Sequence, residues 1–277
     1  MIIKAPIDLE LTQNSGQTSQ PPWKLDNNIY SDVVVADNKA VLFQVKQKEN
    51  NLDFNFIGDI SNKEATKKIK TIFDLDFNLN KFYKYLNNQP ELADMTNFCR
   101  DLRLFLAKDK FECVISSVCS ANNSIVRWTK SIDDIKKSWG NKYTYSEKDY
   151  FTFPDVSDFK NIYCDDVEEF ECCSNLNNPG ECINNLKSCG VGYRAPYMKK
   201  ASEIFTLEMD LDDISNMSYD EAFDTMLKVP GVGPKVADCI LLYGFNFRQA
   251  FPTDVWIKRI VSYLYFDGKD INVSKIR

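Results

Sequence analysis

The chain contains no histidine. That absence excludes Ser-His-Asp and Cys-His nucleophile systems, histidine-ligated zinc and any histidine general base. Lysine, cysteine and the carboxylates are left to carry whatever chemistry there is. No apolar run is long enough for a membrane span, and the opening Met1-Ile-Ile-Lys-Ala-Pro6 does not read as a secretory signal. Basic residues are also in deficit: 34 Lys/Arg against 40 Asp/Glu leave a net charge of −6, an awkward total for a nucleic-acid binder. The distribution changes this picture. Residues 228–277 hold eight Lys/Arg and four Asp, so they are basic, while acidic runs at 165–171 and 208–213 read as solvated faces. Nine cysteines, an odd number without a secretion signal, read as reduced thiols. Cys164, Cys172, Cys173, Cys182 and Cys189 cluster at spacings that match no tight metal signature, so no zinc is expected.

What is present is enough for two ordinary domains: 277 residues, 44% hydrophobic and 13% aromatic. Residues 7–11, 31–36, 40–45 and 52–57 alternate apolar and polar and predict an antiparallel sheet. Asp37-Asn38 and Glu49-Asn50-Asn51 read as hairpin turns. From about residue 62 the period becomes helical, with predicted helices at 67–73, 79–86, 92–107, 111–120 and 122–137; 150–158 reads as a loop around Pro154. Sheet first and helices after is an α+β order. The predicted boundary lies at 100/101, between an N-terminal β domain with trailing helices (1–100) and a helical domain (101–277).

The most informative stretch is Val229-Pro-Gly-Val-Gly-Pro-Lys-Val-Ala-Asp-Cys239. Gly231 and Gly233 permit a tight turn and close approach of another backbone. Pro234 suits a first helical turn, where its missing N–H is no loss. Val236, Cys239, Ile240 and Tyr243 then continue with a helical period, and Tyr219, Phe223, Met226 and Leu227 give one upstream. The unit is helix, hairpin (228–235), helix. Free N–H groups at such a helix start attract phosphate; a plain turn between two packed helices satisfies the same residues.

Lys235 falls in the first turn of that apolar helix, and Cys239 lies four residues on, on the same face. A free lysine, with a pKa of about 10.4, is almost wholly protonated at neutral pH, so a nucleophilic one needs desolvation or a positive neighbour. A solvated or phosphate-bound lysine is the plainer alternative. Asp254, in Phe251-Pro-Thr-Asp254, precedes the apolar run from Val255 and reads as a helix N-cap. A capping carboxylate is rigidly held, and it can also stabilise positive charge developing on a sugar.

With these residues in place, the chain resembles the helix-hairpin-helix DNA glycosylases, and within them the 8-oxoguanine DNA glycosylase/AP lyase family. The resemblance covers 227–239 and 249–255, and extends to Phe111-Glu-Cys-Val-Ile-Ser-Ser-Val-Cys-Ser-Ala-Asn-Asn-Ser-Ile-Val-Arg127, Gly190-Val-Gly-Tyr-Arg-Ala-Pro-Tyr197 and Ser15-Gly-Gln17. It implies a twisted antiparallel β domain beside a two-part all-α body, with DNA in the cleft. It implies base-excision repair: removal of 8-oxoguanine opposite cytosine, followed by β-elimination. Lys235 would attack the sugar C1′ and form a Schiff base, and Asp254 would assist departure of the base. Cys239 would line the lesion pocket, and the Gly16 carbonyl would accept the N7 hydrogen that undamaged guanine lacks. Asn122, Arg127 and Arg194 would contact the widowed cytosine, Tyr193 would wedge into the stack, and Gly231 and Gly233 would present backbone to phosphate. The carbonyls of Leu227, Val229 and Val232 would hold a K⁺ or Na⁺ ion; no other cofactor is implied. Because a base inside a duplex is out of reach, such an enzyme flips it out. The rival readings are a glycosylase for another damaged base, such as an alkylated one, against which Lys235 counts, and a non-catalytic DNA-binding module using the hairpin alone.

Three departures follow from the resemblance. Trp256 stands where the family often places a histidine that touches phosphate. No cysteine follows Cys239, so the four-cysteine iron–sulfur cluster of some relatives is not expected. Asn272-Val-Ser-Lys-Ile-Arg277 reads as a helix start, and the further helix whose Phe and Gln close over the flipped base in the family is expected to be missing. The expected partner is damaged duplex DNA, bound by a monomer inside the cell with the chromosomal DNA, and no membrane is involved.

Overall fold

The structure, a computed structural model, describes residues 1–36, 39–164 and 185–277. The turn expected at Asp37-Asn38, the 165–171 acidic run and Cys172, Cys173 and Cys182 lie outside the described residues.

The N-terminal sheet forms as the alternation predicts. Strands β1 (Ile2–Ile3), β2 (Lys24–Asp26), β3 (Ile29–Ala36), β4 (Lys39–Lys48) and β5 (Asn51–Ile57) pair antiparallel in the order β1-β5-β4-β3-β2. One face of this sheet packs on Trp23, Phe73 and Phe105, whose rings lie 5.3–6.3 Å apart. The helix α2 (Asn62–Ile72) covers it with Ala65, Ile69 and Ile72, and starts at a capping box of Ser61 and Glu64.

Two expectations in this half are overturned. Residues 7–11 are not a strand: Asp8 caps the helix α1 (Leu9–Asn14) by accepting from the Leu11 N–H at 2.8 Å. Ile7, Leu9 and Leu11 alternate, but the carboxylate ahead of them decides the conformation. Residues 92–107 are not one helix either. After α3 (Leu79–Asn87) and a short α4 (Met95–Phe98), residues 102–106 are neither helix nor strand. Their backbone is taken by side chains from the segment after α1. Gln17 brackets it, donating to the Arg103 carbonyl at 3.0 Å and accepting from the Phe105 N–H at 2.8 Å. Ser19 and Gln20 donate to the carbonyls of Phe105 and Leu106.

The helical body is built around α5 (Lys110–Ser120), in which Phe111 through Cys119 are all buried. A helix buried all round needs neighbours on every side; they are α6 (Ile125–Trp139), α8 (Ala195–Leu207) and α11 (Pro234–Phe245). The 150–158 stretch is less loop-like than expected: β6 (Lys142–Tyr145) and β7 (Lys148–Phe151) form a hairpin, and α7 (Val156–Phe159) follows Pro154. Three further helices, α9 (Leu211–Ile214), α10 (Tyr219–Met226) and α12 (Val255–Tyr265), and a last turn α13 (Val273–Ile276) complete it. The acidic side chains Glu208, Asp210, Asp212 and Asp213 around α9 are exposed.

The first core runs from Ile3 to Phe105 and the second from Phe111 to Ala250. Buried charge joins them. Asp32 of β3 pairs with Lys108 and lies 3.4 Å from Lys136, and the fully buried Glu112 lies 3.7 Å from Lys108 and 3.9 Å from Lys136. Burial alone would raise Asp32, but Lys108 and Lys136 hold it below the usual carboxylate range. Burial pushes Glu112 up.

Candidate active site

The hairpin is framed by its two helices. The α10 helix begins at a capping box of Ser218 and Glu221. Its end passes into turns in which the Val229 N–H bonds to the Met226 carbonyl and the Val232 N–H to the Val229 carbonyl. Gly231 takes φ +82° and lies against Tyr197, where a Cβ would come within 2.8 Å of the ring. The other glycine is different. Gly233 has φ −92° and open space where a Cβ would be, so nothing in the fold requires glycine there. A bare backbone at the start of α11, with no side-chain cap, suits contact with an external anion. The carbonyls of Leu227 and Val232 accept no hydrogen bond from the described residues.

Lys235 sits half-buried in the first turn of α11, which buries Val236 through Leu241 behind it. Cys239 is 3% exposed and packs beside Lys235 and Thr18, two of the residues that line the cleft. Burial pushes its thiol up, against the opposing pull of Lys235 and of hydrogen bonds with Thr18 and Lys235. Thr18 is itself held by Ser117 at 3.0 Å. Burial also raises Cys113 and Tyr243. The thiol beside Lys235 is therefore held in its neutral form.

Asp254 has the capping role that its position implies. Its Oδ1 accepts from the N–H groups of Trp256 at 2.9 Å and Ile257 at 2.8 Å, which fixes the carboxylate at the head of α12. It remains exposed.

An open cleft of about 820 Å³ collects five separate stretches of the chain. Ser15, Gly16 and Thr18 form one wall, Asn122 and Asn123 with Ile125 and Trp128 another, and Lys235 with Asp254 and Trp256 a third, joined by Lys258 and Val273. Gly16 takes φ +76°, and a Cβ would strike Ile125 at 2.6 Å. Gln17, bonded to Arg103 and Phe105, anchors that turn. One of the two adjacent asparagines caps the turn before α6. It is Asn123, whose amide donates to the Cys119 carbonyl and accepts from the Ser124 N–H. Asn122, at φ +49°, has its side chain exposed into the cleft.

The other predicted contacts lie outside the cleft wall. Arg127 is exposed in the first turn of α6 with no ion-pair partner among the described residues. Tyr193 is 58% exposed, with the Arg194 guanidinium over its ring at 4.5 Å. Arg194, expected to contact the widowed cytosine, is anchored by backbone carbonyls. It is buried, and donates to the carbonyls of Ala121 (2.8 and 2.5 Å), Asn122 (3.0 Å) and Val191 (3.3 Å). Its work here is to hold the turn that presents Asn122.

Sequence reasoning missed Thr18, Ser117, Asp238 and Arg277. The signal for Asp238 was available: a carboxylate at the centre of an apolar helix demands a partner. It is 0% exposed and bonded by the Tyr219 hydroxyl at 2.6 Å and Arg277 at 2.6 Å.

The chain matches two family descriptions in succession: "8-oxoguanine DNA glycosylase, N-terminal domain" over residues 1–114, and "HhH-GPD superfamily base excision DNA repair protein" over residues 115–277. It is 43% identical to the "Probable N-glycosylase/DNA lyase" of Methanothermobacter thermautotrophicus over 96% of this chain and 84% of that one. The apo crystal structure of the Clostridium acetobutylicum 8-oxoguanine glycosylase/lyase superposes with a TM-score of 0.77 at 28% identity, covering 100% of this chain and 88% of that one. The same Clostridium enzyme with double-stranded DNA containing cytosine opposite 8-oxoguanine gives a TM-score of 0.77 at 26% identity, over 100% of this chain and 89% of that one.

Proposed function

Because this chain belongs to the HhH-GPD superfamily of base excision DNA repair proteins, we propose that it is a bifunctional DNA glycosylase and AP lyase that removes 8-oxoguanine opposite cytosine. The observation that carries the site assignment is the single cleft in which Gly16, Asn122, Lys235 and Asp254 meet. In this reading Lys235 attacks C1′ of the flipped nucleotide as the glycosidic bond breaks, with the electron pair leaving on the base. Asp254, fixed by two backbone N–H groups, stabilises the positive charge that develops on the sugar. The sugar ring then opens as the nitrogen lone pair expels O4′, which is protonated, leaving a Schiff base at C1′; this withdraws electrons from C2′, a proton is lost there, and the 3′ phosphate is expelled by β-elimination. The Gly16 turn faces the flipped base, and Asn122 with Arg127 faces the cytosine left behind, while Tyr193 fills the stack.

Gly233 and the start of α11 supply the phosphate contact. The free carbonyls of Leu227 and Val232, with that of Val229, suit a K⁺ or Na⁺ ion, which would supply positive charge beside a DNA phosphate. The enzyme acts as a monomer in the compartment that holds the chromosomal DNA. No helix among the described residues is long and apolar enough to cross a membrane. The test is single-turnover product analysis on duplexes carrying 8-oxoguanine opposite each of the four bases, with 3-methyladenine duplex as the competing substrate. Release of 8-oxoguanine, fastest opposite cytosine and accompanied by strand cleavage, is the expected result. Release of the alkylated base alone, with no cleavage, contradicts it.

A further inference from the structure

Arg277 makes contacts that the chemistry above does not use. Its Nε donates to Asp238 Oδ2 at 2.6 Å, and its Nη2 donates to Asp238 Oδ1 at 3.2 Å and to the Tyr219 hydroxyl at 2.7 Å. The Tyr219 hydroxyl in turn donates to Asp238 Oδ1 at 2.6 Å. The guanidinium also lies over the Phe223 ring at 3.8 Å. Tyr219 and Phe223 belong to α10 and Asp238 to α11, so one arginine grips both helices of the hairpin unit. Burial opposes the charge, but Asp238 and Tyr219 outweigh it and raise the Arg277 guanidinium further. A bidentate pair to a carboxylate that is fully buried is geometrically specific.

The grip has a consequence four residues back. α13 is a single turn, started by Asn272, whose side chain accepts from the Ser274 N–H at 3.0 Å. No residue of Val273–Ile276 is buried. Yet Val273 lines the cleft that holds Lys235 and Asp254. We propose that Arg277 is a positioning residue for base excision: by clamping Asp238 and Tyr219 it seats α13 so that Val273 forms the wall against which the flipped base packs. The inference rests on the glycosylase reading above. A wall that touches only the base matters for its removal. It matters far less for β-elimination at a sugar that carries no base.

The experiment compares wild type, Arg277→Gln, Arg277→Lys and Val273→Trp on two duplexes, one with 8-oxoguanine opposite cytosine and one with a preformed abasic site opposite cytosine. Rates are taken under single-turnover conditions, with thermal unfolding measured alongside. In Arg277→Gln the ratio of excision to abasic-site cleavage falls by about tenfold or more, the scale on which a misplaced apolar pocket contact acts. Arg277→Lys, which keeps the charge but not the fork, recovers part of that ratio. Val273→Trp, which narrows the cleft without touching the clamp, lowers the same ratio and decides the matter if Arg277→Gln does not fold. Equal loss of both rates in Arg277→Gln, with an unchanged ratio in Val273→Trp, means that the clamp is merely structural and overturns the proposal, as does no change in any variant. A wild-type enzyme that cleaves abasic sites but never releases 8-oxoguanine contradicts the functional reading and takes this inference down with it.

Discussion

The two helices that carry the proposed chemistry are opposites. The α11 helix buries Val236, Ala237, Asp238, Cys239, Ile240 and Leu241, whereas α12 buries only Ser262. Val255, Trp256, Ile260 and Tyr263 of α12 are 51–77% exposed. Lys235 is thus mounted on a rod fixed by the core, and Asp254 is held by the two hydrogen bonds that it makes to its own helix. The contrast suits the roles. A nucleophile must meet C1′ at a defined distance, and a 1 Å error is costly. A carboxylate that stabilises diffuse charge tolerates a looser mount, because electrostatic attraction falls off gently with distance.

The largest effect should come from the rigid side of this comparison. Lys235→Gln should abolish strand cleavage while leaving binding to lesion duplex close to wild type, because the hairpin backbone is untouched; gel-shift and cleavage assays on the same preparation check it. Residual cleavage would remove Lys235 from the mechanism. Next, the two mounts can be compared by truncation. Ile240→Ala in the 0%-exposed position of α11 should cost about 2–5 kcal/mol in denaturant unfolding. Ile260→Ala on α12 should stay within about 0.5 kcal/mol. Similar losses at both sites would erase the distinction. Asp254→Asn keeps a capping side chain, so stability should change by only a few tenths of a kcal/mol, against about 1 kcal/mol for Asp254→Ala. Its base-release rate should nonetheless fall by about a hundredfold, the scale of losing one preorganised electrostatic group. Binding lost in proportion to rate would leave capping as its sole task.

The smallest effect concerns Trp256. The other tryptophans, Trp23, Trp128 and Trp139, are buried or partly buried. Trp256 is 67% exposed at the cleft, with Arg259 over its ring at 5.1 Å. Duplex DNA should therefore quench the protein's fluorescence chiefly through Trp256. Trp256→Phe should remove most of that quench while weakening binding by less than about 1–3 kcal/mol, the worth of one aromatic stacking contact. An undiminished quench would place the DNA elsewhere.

The readable parts of the sequence were those in which a short segment determines its own geometry. The alternation of 31–36, 40–45 and 52–57 became β3, β4 and β5 because hairpin-linked strands need only their neighbours. The hairpin, the N-cap at Asp254 and the helix starting at Pro234 are local in the same sense. Residues 92–107 were misread because Leu, Phe and Ala satisfy a helical period. What decides their backbone is Gln17, Ser19 and Gln20, about 86 residues away in sequence. The same limit applies inside the cleft. Gly16, Asn122, Lys235 and Asp254 were nameable one by one, but that they share a cleft is tertiary. The backbone contacts of Arg194 are tertiary in the same way. Three backbone carbonyls claim it in the fold.

The most direct test of the account is borohydride trapping on a duplex with one 8-oxoguanine opposite cytosine, run with wild type, Lys235→Gln and an undamaged control duplex. A covalent protein–DNA adduct that requires both the lesion and Lys235 is the expected result. An adduct that persists in Lys235→Gln, or no adduct from a wild-type protein that binds the lesion, would contradict it.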